Sequence, residues 1–235
     1  MASGEKVSPA LIAGYGIGNF LFNALFTSVA FGLNGALETF VSQAFGSNKL
    51  ELCSSYLHRS RLLVTVLFVI TFVVLIRMEK FLVKVGQDSE AAGFAIRFIY
   101  TNGFGYYMII MNDGTRRFLN SMSLSSIPFK ICIFCTFSQI VFCEIFVKWR
   151  GMGMMGLGIS TGLANFLSFI CLNVYPLFVK EARPAMRLPG TDALKGIYEY
   201  LSMGLPLCLM SFFEWVSYEL MIIMSGYLGV ASQAT

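Results

Sequence analysis

The chain has 235 residues, of which 56% are hydrophobic and only 13% charged, with a mean hydropathy of +0.70 and a formal net charge of +4. Soluble domains carry about 25% charged residues, so too few polar groups are present to coat a globule of this size, and a soluble fold is excluded. The modest positive balance leaves no nucleic-acid footprint. Lys and Arg gather between apolar runs of about twenty residues, the length that crosses a hydrocarbon core of roughly 30 Å as helix.

Six helical spans are predicted in chain order. Met1–Ser8 is short and polar, and the apolar stretch behind it is too long and glycine-rich for a cleaved signal peptide. The first span runs from Pro9, a residue suited to a helix start, to Ala44. That exceeds one membrane crossing, so its polar end is expected to project into the interface. Gly14, Gly16 and Gly18 offer a small-residue surface for close helix approach. Asn19, Asn23, Thr27, Asn34 and Glu38 fall at roughly 0°, 40°, 80°, 60° and 100° around a helix of 3.6 residues per turn. Such a stripe cannot face hydrocarbon without a large cost, so it faces other helices or a wet cavity. Interhelical hydrogen bonding would account for some of it, but five polar residues favour a cavity lining.

The second span covers Ser55–Ile76, and His58 at its start, beside Arg59, reads as an interfacial residue. The third, Ala91–Leu119, is interrupted by Thr101, Asn102, Asn112 and Asp113. Asp113 stands three and four residues before Arg116 and Arg117 and is expected to pair with them. The fourth span is Ile127–Lys148, where Glu144 and Lys148 form an i,i+4 pair and the Cys132–Cys135 spacing reads as helix packing, with no second Cys or His pair nearby. The fifth is Met152–Val179. Between it and the sixth, Ile197–Leu228, lies a stretch holding Pro184, Pro189 and Gly190 and several basic residues, which divides the chain into a bundle (1–179), a linker (180–196) and a final helix (197–235). Ten Lys or Arg fall on the side of Lys49, Arg116 and Lys180 against seven on the side of Arg77 and Lys80, which places the linker in the cytoplasm.

The sixth span carries Glu214 and Glu219, which their spacing of five sets roughly 140° apart, so they do not form one paired site. Tyr218 follows Glu214 by one turn and is placed to hydrogen-bond to it. An intramembrane carboxyl resists losing its proton in an apolar medium and so can exchange one near neutral pH. That makes Glu214 the leading proton or cation site, with Glu219 second to it and a structural ion pair as its plainer role. The many Phe and Met side chains suit a soft cavity for flat hydrophobic cations, although lipid contact and core packing explain them equally. No metal-ligand cluster, phosphate loop, nucleophile elbow or cofactor motif is present in the sequence, and an enzyme is not expected.

Several strings, in order along the chain, carry a family resemblance. Gly32-Leu33-Asn34-Gly35-Ala36-Leu37-Glu38-Thr39 followed by Ser42-Gln43-Ala44-Phe45-Gly46 resembles the end of the second helix of the multidrug and toxic compound extrusion (MATE) transporters. Tyr56-Leu57-His58-Arg59-Ser60 is similar to the family's Y-L-Q-R-S, and Gln87-Asp88-Ser89-Glu90 to its Q-D-P-E. Arg116-Arg117-Phe118-Leu119-Asn120 looks like the family's R-R-F-L-Q, and Gly151–Gly156 resembles the glycine-rich entry to its sixth helix. Pro206 followed by Glu214-Trp215 and Glu219 is similar to the seventh helix of eukaryotic members.

The resemblance implies an all-α, polytopic membrane bundle of about six transmembrane helices, matching roughly helices 2–7 of a twelve-helix, two-lobe transporter. It implies a secondary active antiporter that exports organic cations or other xenobiotics in exchange for protons, or for Na⁺ as in some relatives, by alternating access across the lipid bilayer. Glu38, Gln43 and Asn34 carry over as second-helix positions, Glu214 as the acidic residue linked to substrate and proton, and Glu219 and Tyr218 as its companions. Asp113 departs from the family, which usually has proline there, as does Cys143, where asparagine is common. No counterpart of the first family helix precedes Pro9, and helices eight to twelve have none after Thr235, so the resemblance implies an incomplete transporter. The alternatives are a truncated or degenerate membrane protein without transport, and a relative that moves lipid-linked substrates.

Overall fold

The computed structural model describes residues 9–186 and 194–227. Among them the chain is helical throughout, with α1 at Pro9–Phe22, α2 at Ser28–Gly46, α3 at Leu50–Leu75, a short α4 at Glu79–Lys84, α5 at Ser89–Ser121, α6 at Ser126–Cys143, α7 at Gly153–Val174 and α8 at Ile197–Tyr227. These reproduce the six predicted spans. The first is one continuous rod in which a π-helical turn, Asn23–Thr27, joins α1 to α2 and slips the register of their faces. A second such turn, Glu144–Trp149, ends α6, and there Lys148 bonds Glu144 as the spacing predicted.

Local signals place the ends. The left-handed backbone of Asn48, at φ +59°, turns the chain out of α2. Asp88 caps α5: its carboxylate accepts from the Glu90 and Ala91 amides at 3.1 and 3.2 Å.

Four stretches among the described residues are long and apolar enough to cross a membrane: Ala10–Gly46, Leu50–Leu75, Ser126–Trp149 and Gly156–Phe178. α5 is not one of them, because its polar interruptions lower its hydropathy, yet it is the hub of the bundle. α1, α2, α3 and α7 all pack along it. Two of the three predicted glycines work here, since a Cβ on Gly14 would collide with the Phe94 side chain and the Ala91 carbonyl, and one on Gly18 with Phe98, whereas one on Gly16 would meet nothing within 4 Å. Phe22, Phe26, Ile99 and Phe118 are sealed in this core, with Phe22 stacked on Tyr106 at 4.6 Å.

α8 lies along α2 rather than α5. Gly32 lets the two backbones meet, because a Cβ there would overlap the main chain of Cys208. The fully buried Tyr200 donates its hydroxyl to the Leu33 carbonyl at 2.8 Å, and Trp215 stacks on Phe31 at 6.1 Å. The surface of α3, α6 and α7 is studded with exposed Val, Ile and Phe, as lipid contact requires.

Candidate functional site

The polar stripe of the first span turns toward α5 along its length. Near one end, the Tyr106 hydroxyl bonds Asn19. At the other, the Asn34 side chain, 1% exposed, donates through its amide nitrogen to the Ile110 carbonyl and to an Asp113 carboxylate oxygen, both at 3.1 Å. Its Oδ1 accepts from the Ser60 hydroxyl at 3.1 Å. Gly114 leaves the room for this, since a Cβ there would lie 2.9 Å from Asn34 Oδ1.

Asp113 is buried and paired as the i+3, i+4 spacing predicted, with Arg116 Nη2 at 2.7 Å and Arg117 Nε at 2.9 Å. Arg117 Nη1 continues to Glu38 Oε2 at 2.9 Å. A relay Ser60–Asn34–Asp113–Arg117–Glu38 therefore ties α3, α2 and α5 together. None of its buried polar atoms is left unmatched, which is what allows a carboxylate inside a low-dielectric bundle. Asn34 is thus spent on interhelical bonds rather than on a cavity lining, whereas Glu38, bonded to Arg117, keeps 51% of its side chain exposed.

Cavity space lies to either side. One cavity of about 270 Å³ between α5, α6 and α7 meets Asn112, Asp113, Gln139, Asn165 and Ser168. The Asn112 amide donates to the Asn165 carbonyl at 2.9 Å, while its own carbonyl oxygen is buried with no protein donor. A second, of about 540 Å³ between α1, α5 and α7, is lined by Asn19, Asn102, Tyr106 and Thr161. Asn19 is the member of the predicted stripe that does face a cavity.

The remaining candidates stand apart from this relay. Gln43 is exposed near the end of α2. Glu214 and Tyr218 are exposed on α8, one turn apart and with no hydrogen bond between them. The side chain of Glu219 lies outside the described residues. Among the described residues no group of His, Cys, Asp and Glu could hold a metal ion, and all six cysteines are free thiols.

Arg61 is the residue that sequence reasoning missed, having counted it only among the basic residues of the cytoplasmic end. Its Nη2 donates to Thr115 Oγ1 at 2.8 Å and to Asn173 Oδ1 at 2.6 Å, and its guanidinium lies 5.8 Å from the Phe169 ring centroid. Its Nε–H is buried with no protein acceptor, and among the described residues no carboxylate comes within ion-pair reach.

Long helices among the described residues, four stretches of them apolar enough to cross a membrane, define a multi-pass integral membrane protein. The MatE family model matches residues 2–145, and the chain belongs to that family. Among curated relatives, Protein DETOXIFICATION 4 of Arabidopsis thaliana is 26% identical over 92% of this chain and 46% of its own length, and Protein DETOXIFICATION 8 of the same plant is 29% identical over 90% and 44%. The chain spans about half the length of the curated relatives it matches. The crystal structure of the eukaryotic MATE transporter AtDTX14 superposes with a TM-score of 0.83 at 23% identity, over 94% of this chain and 49% of that one. That of a MATE protein in a bent conformation gives 0.73 at 21% identity, over 97% and 51%. The fold is therefore that of about half a MATE transporter.

Proposed function

We propose that this chain forms the greater part of one lobe, and the first helix of the other, of a secondary active antiporter that exports organic cations or related xenobiotics in exchange for protons. Family membership supports transport over enzymatic chemistry, and the name DETOXIFICATION borne by its plant relatives supports toxic compounds as cargo. The cytoplasmic linker then falls at 180–196, between the five-span bundle and α8.

Glu214 carries the reading. It is a carboxylate on a helix dominated by Leu, Met and Phe, exposed on the outside of the bundle, with no ion pair among the described residues. A carboxylate against bare lipid is costly, so this face of α8 belongs against a polar partner or a wet cavity. There the carboxyl is free to take up a proton and release it, and to meet a cation in exchange. The Trp215–Phe31 stack fixes the helix beside α2 and sets the direction in which Glu214 points.

The test uses the protein as its host makes it, reconstituted in liposomes with an imposed pH gradient and a fluorescent organic cation outside. Wild type accumulates dye in proportion to the gradient, and Glu214→Gln, inserted to the same level, accumulates none. Gradient-driven accumulation by a well-inserted Glu214→Gln protein at the wild-type rate refutes the proton role.

A further inference from the structure

Among the described residues Arg61 is a cation without a counterion, and its place in the fold says what would supply one. α3 and α7 both pack along α5 but scarcely on each other, so an open groove runs between them with α5 as its floor. Arg61 reaches from α3 across this groove to Asn173 on α7 and down to Thr115 on α5. Both acceptors are neutral, both use a single guanidinium nitrogen, and the Nε–H stays unanswered. Arg116 and Arg117, which stand on α5 itself, are by contrast paired with Asp113 and Glu38.

Both flanking helices present lipid surfaces: Val69 on α3 and Ile170 and Val174 on α7 are each between 42% and 54% exposed. From Arg61 to the far end of α3 at Leu75 is about 21 Å at 1.5 Å per residue, some two thirds of a hydrocarbon core of roughly 30 Å. The guanidinium is thus near the start of the apolar stretch, on the end where the basic Lys180 and Arg183 stand exposed. A long arginine side chain at this depth extends toward the interface, where lipid phosphates lie and where an anionic surface attracts basic groups.

We propose that the α3–α7 groove binds an anionic phospholipid from the cytoplasmic leaflet, with Arg61 holding the headgroup phosphate and the exposed faces of α3 and α7 flanking the acyl chains. The fork of a guanidinium suits a phosphate, which it can hold by two parallel hydrogen bonds. Charge selects the lipid: a zwitterionic headgroup brings its own cation against Arg61, Lys180 and Arg183, whereas phosphatidylglycerol does not. The site is independent of the proton role of Glu214, which stands on another helix.

Native mass spectrometry of the full 235-residue chain released from nanodiscs of mixed phosphatidylglycerol and phosphatidylcholine tests this. Wild type retains phosphatidylglycerol in preference to phosphatidylcholine, and Arg61→Gln loses that preference by about tenfold, the scale of one hydrogen bond to a charged group. Arg61→Lys keeps part of it, and Lys84→Gln, which removes an exposed charge at the opposite end of the bundle, keeps nearly all. Equal retention of the two lipids by wild type overturns the proposal, whatever the folding of the variants. So does an Arg61→Gln protein that retains phosphatidylglycerol like wild type, or displacement of the lipid by millimolar inorganic phosphate, which would make the site one for soluble anions.

Discussion

Replacing Asp113 probes the joint on which three helices depend. Asp113→Ala removes the acceptor of Arg117 Nε and of the Asn34 amide in one step, leaving a partly buried guanidinium and a buried amide half-matched. The Arg116 contact counts for little, since that side chain is 59% exposed and water replaces the partner. Arg117 is 31% exposed and keeps Glu38, which tempers its loss, whereas Asn34 is sealed. Removing one side of a buried pair costs about 3–5 kcal/mol, and the residual Glu38 contact places the expected loss near the lower figure, about 3 kcal/mol. Arg116→Ala, which breaks only the exposed contact, should cost under about 1 kcal/mol. The measurement is reversible unfolding of detergent-solubilised protein in a series of SDS mole fractions, followed by circular dichroism. Equal losses for the two variants would show that burial does not set the strength of these pairs, and a stable Asp113→Ala would show that the relay does not hold the bundle.

Two further outcomes follow from the α2–α8 seam. Gly32→Leu should drive α8 off α2, because the new side chain begins where the Cys208 backbone lies; the loss appears as rapid maleimide labelling of Cys208, now 6% exposed, and wild-type labelling rates would refute the close approach. Tyr200→Phe removes a buried donor from the Leu33 carbonyl while keeping the ring, at a cost of about 1 kcal/mol in the same unfolding assay. A variant as stable as wild type would mean that the bond is not made.

The spans were legible because lipid imposes a length and a composition that few other environments demand. Pro9 and the Asp113–Arg117 spacing each carried a local rule that the fold obeys. What stayed hidden was partnership across helices. Nothing in sequence distance links Arg61 to Asn173, or Gly32 to Cys208, and the periodicity of the first span assumed a regular helix where a π-turn intervenes. The stripe of Asn19, Asn34 and Glu38 was visible, but whether it met water or other helices depended on α5, whose own polar residues had made it look the poorest span.

That apparent weakness of α5 is the feature that organises the bundle. A helix that faces lipid must be apolar all round, whereas one surrounded by other helices can carry Asn102, Asn112 and Asp113, provided that neighbours answer them. Each neighbour does so differently. α7 supplies Asn165 to Asn112, α2 supplies Asn34 to Asp113, and α3 sends Ser60 to Asn34 and Arg61 to Thr115. Only the last of these brings a charge that no described carboxylate pairs, and it does so where α3 and α7 part. In a membrane, where apolar surface gives helices little reason to associate, such polar contacts select the arrangement. A bundle built this way concentrates its specificity on one central helix. α8, which touches that helix hardly at all, is held instead by close backbone contact with α2.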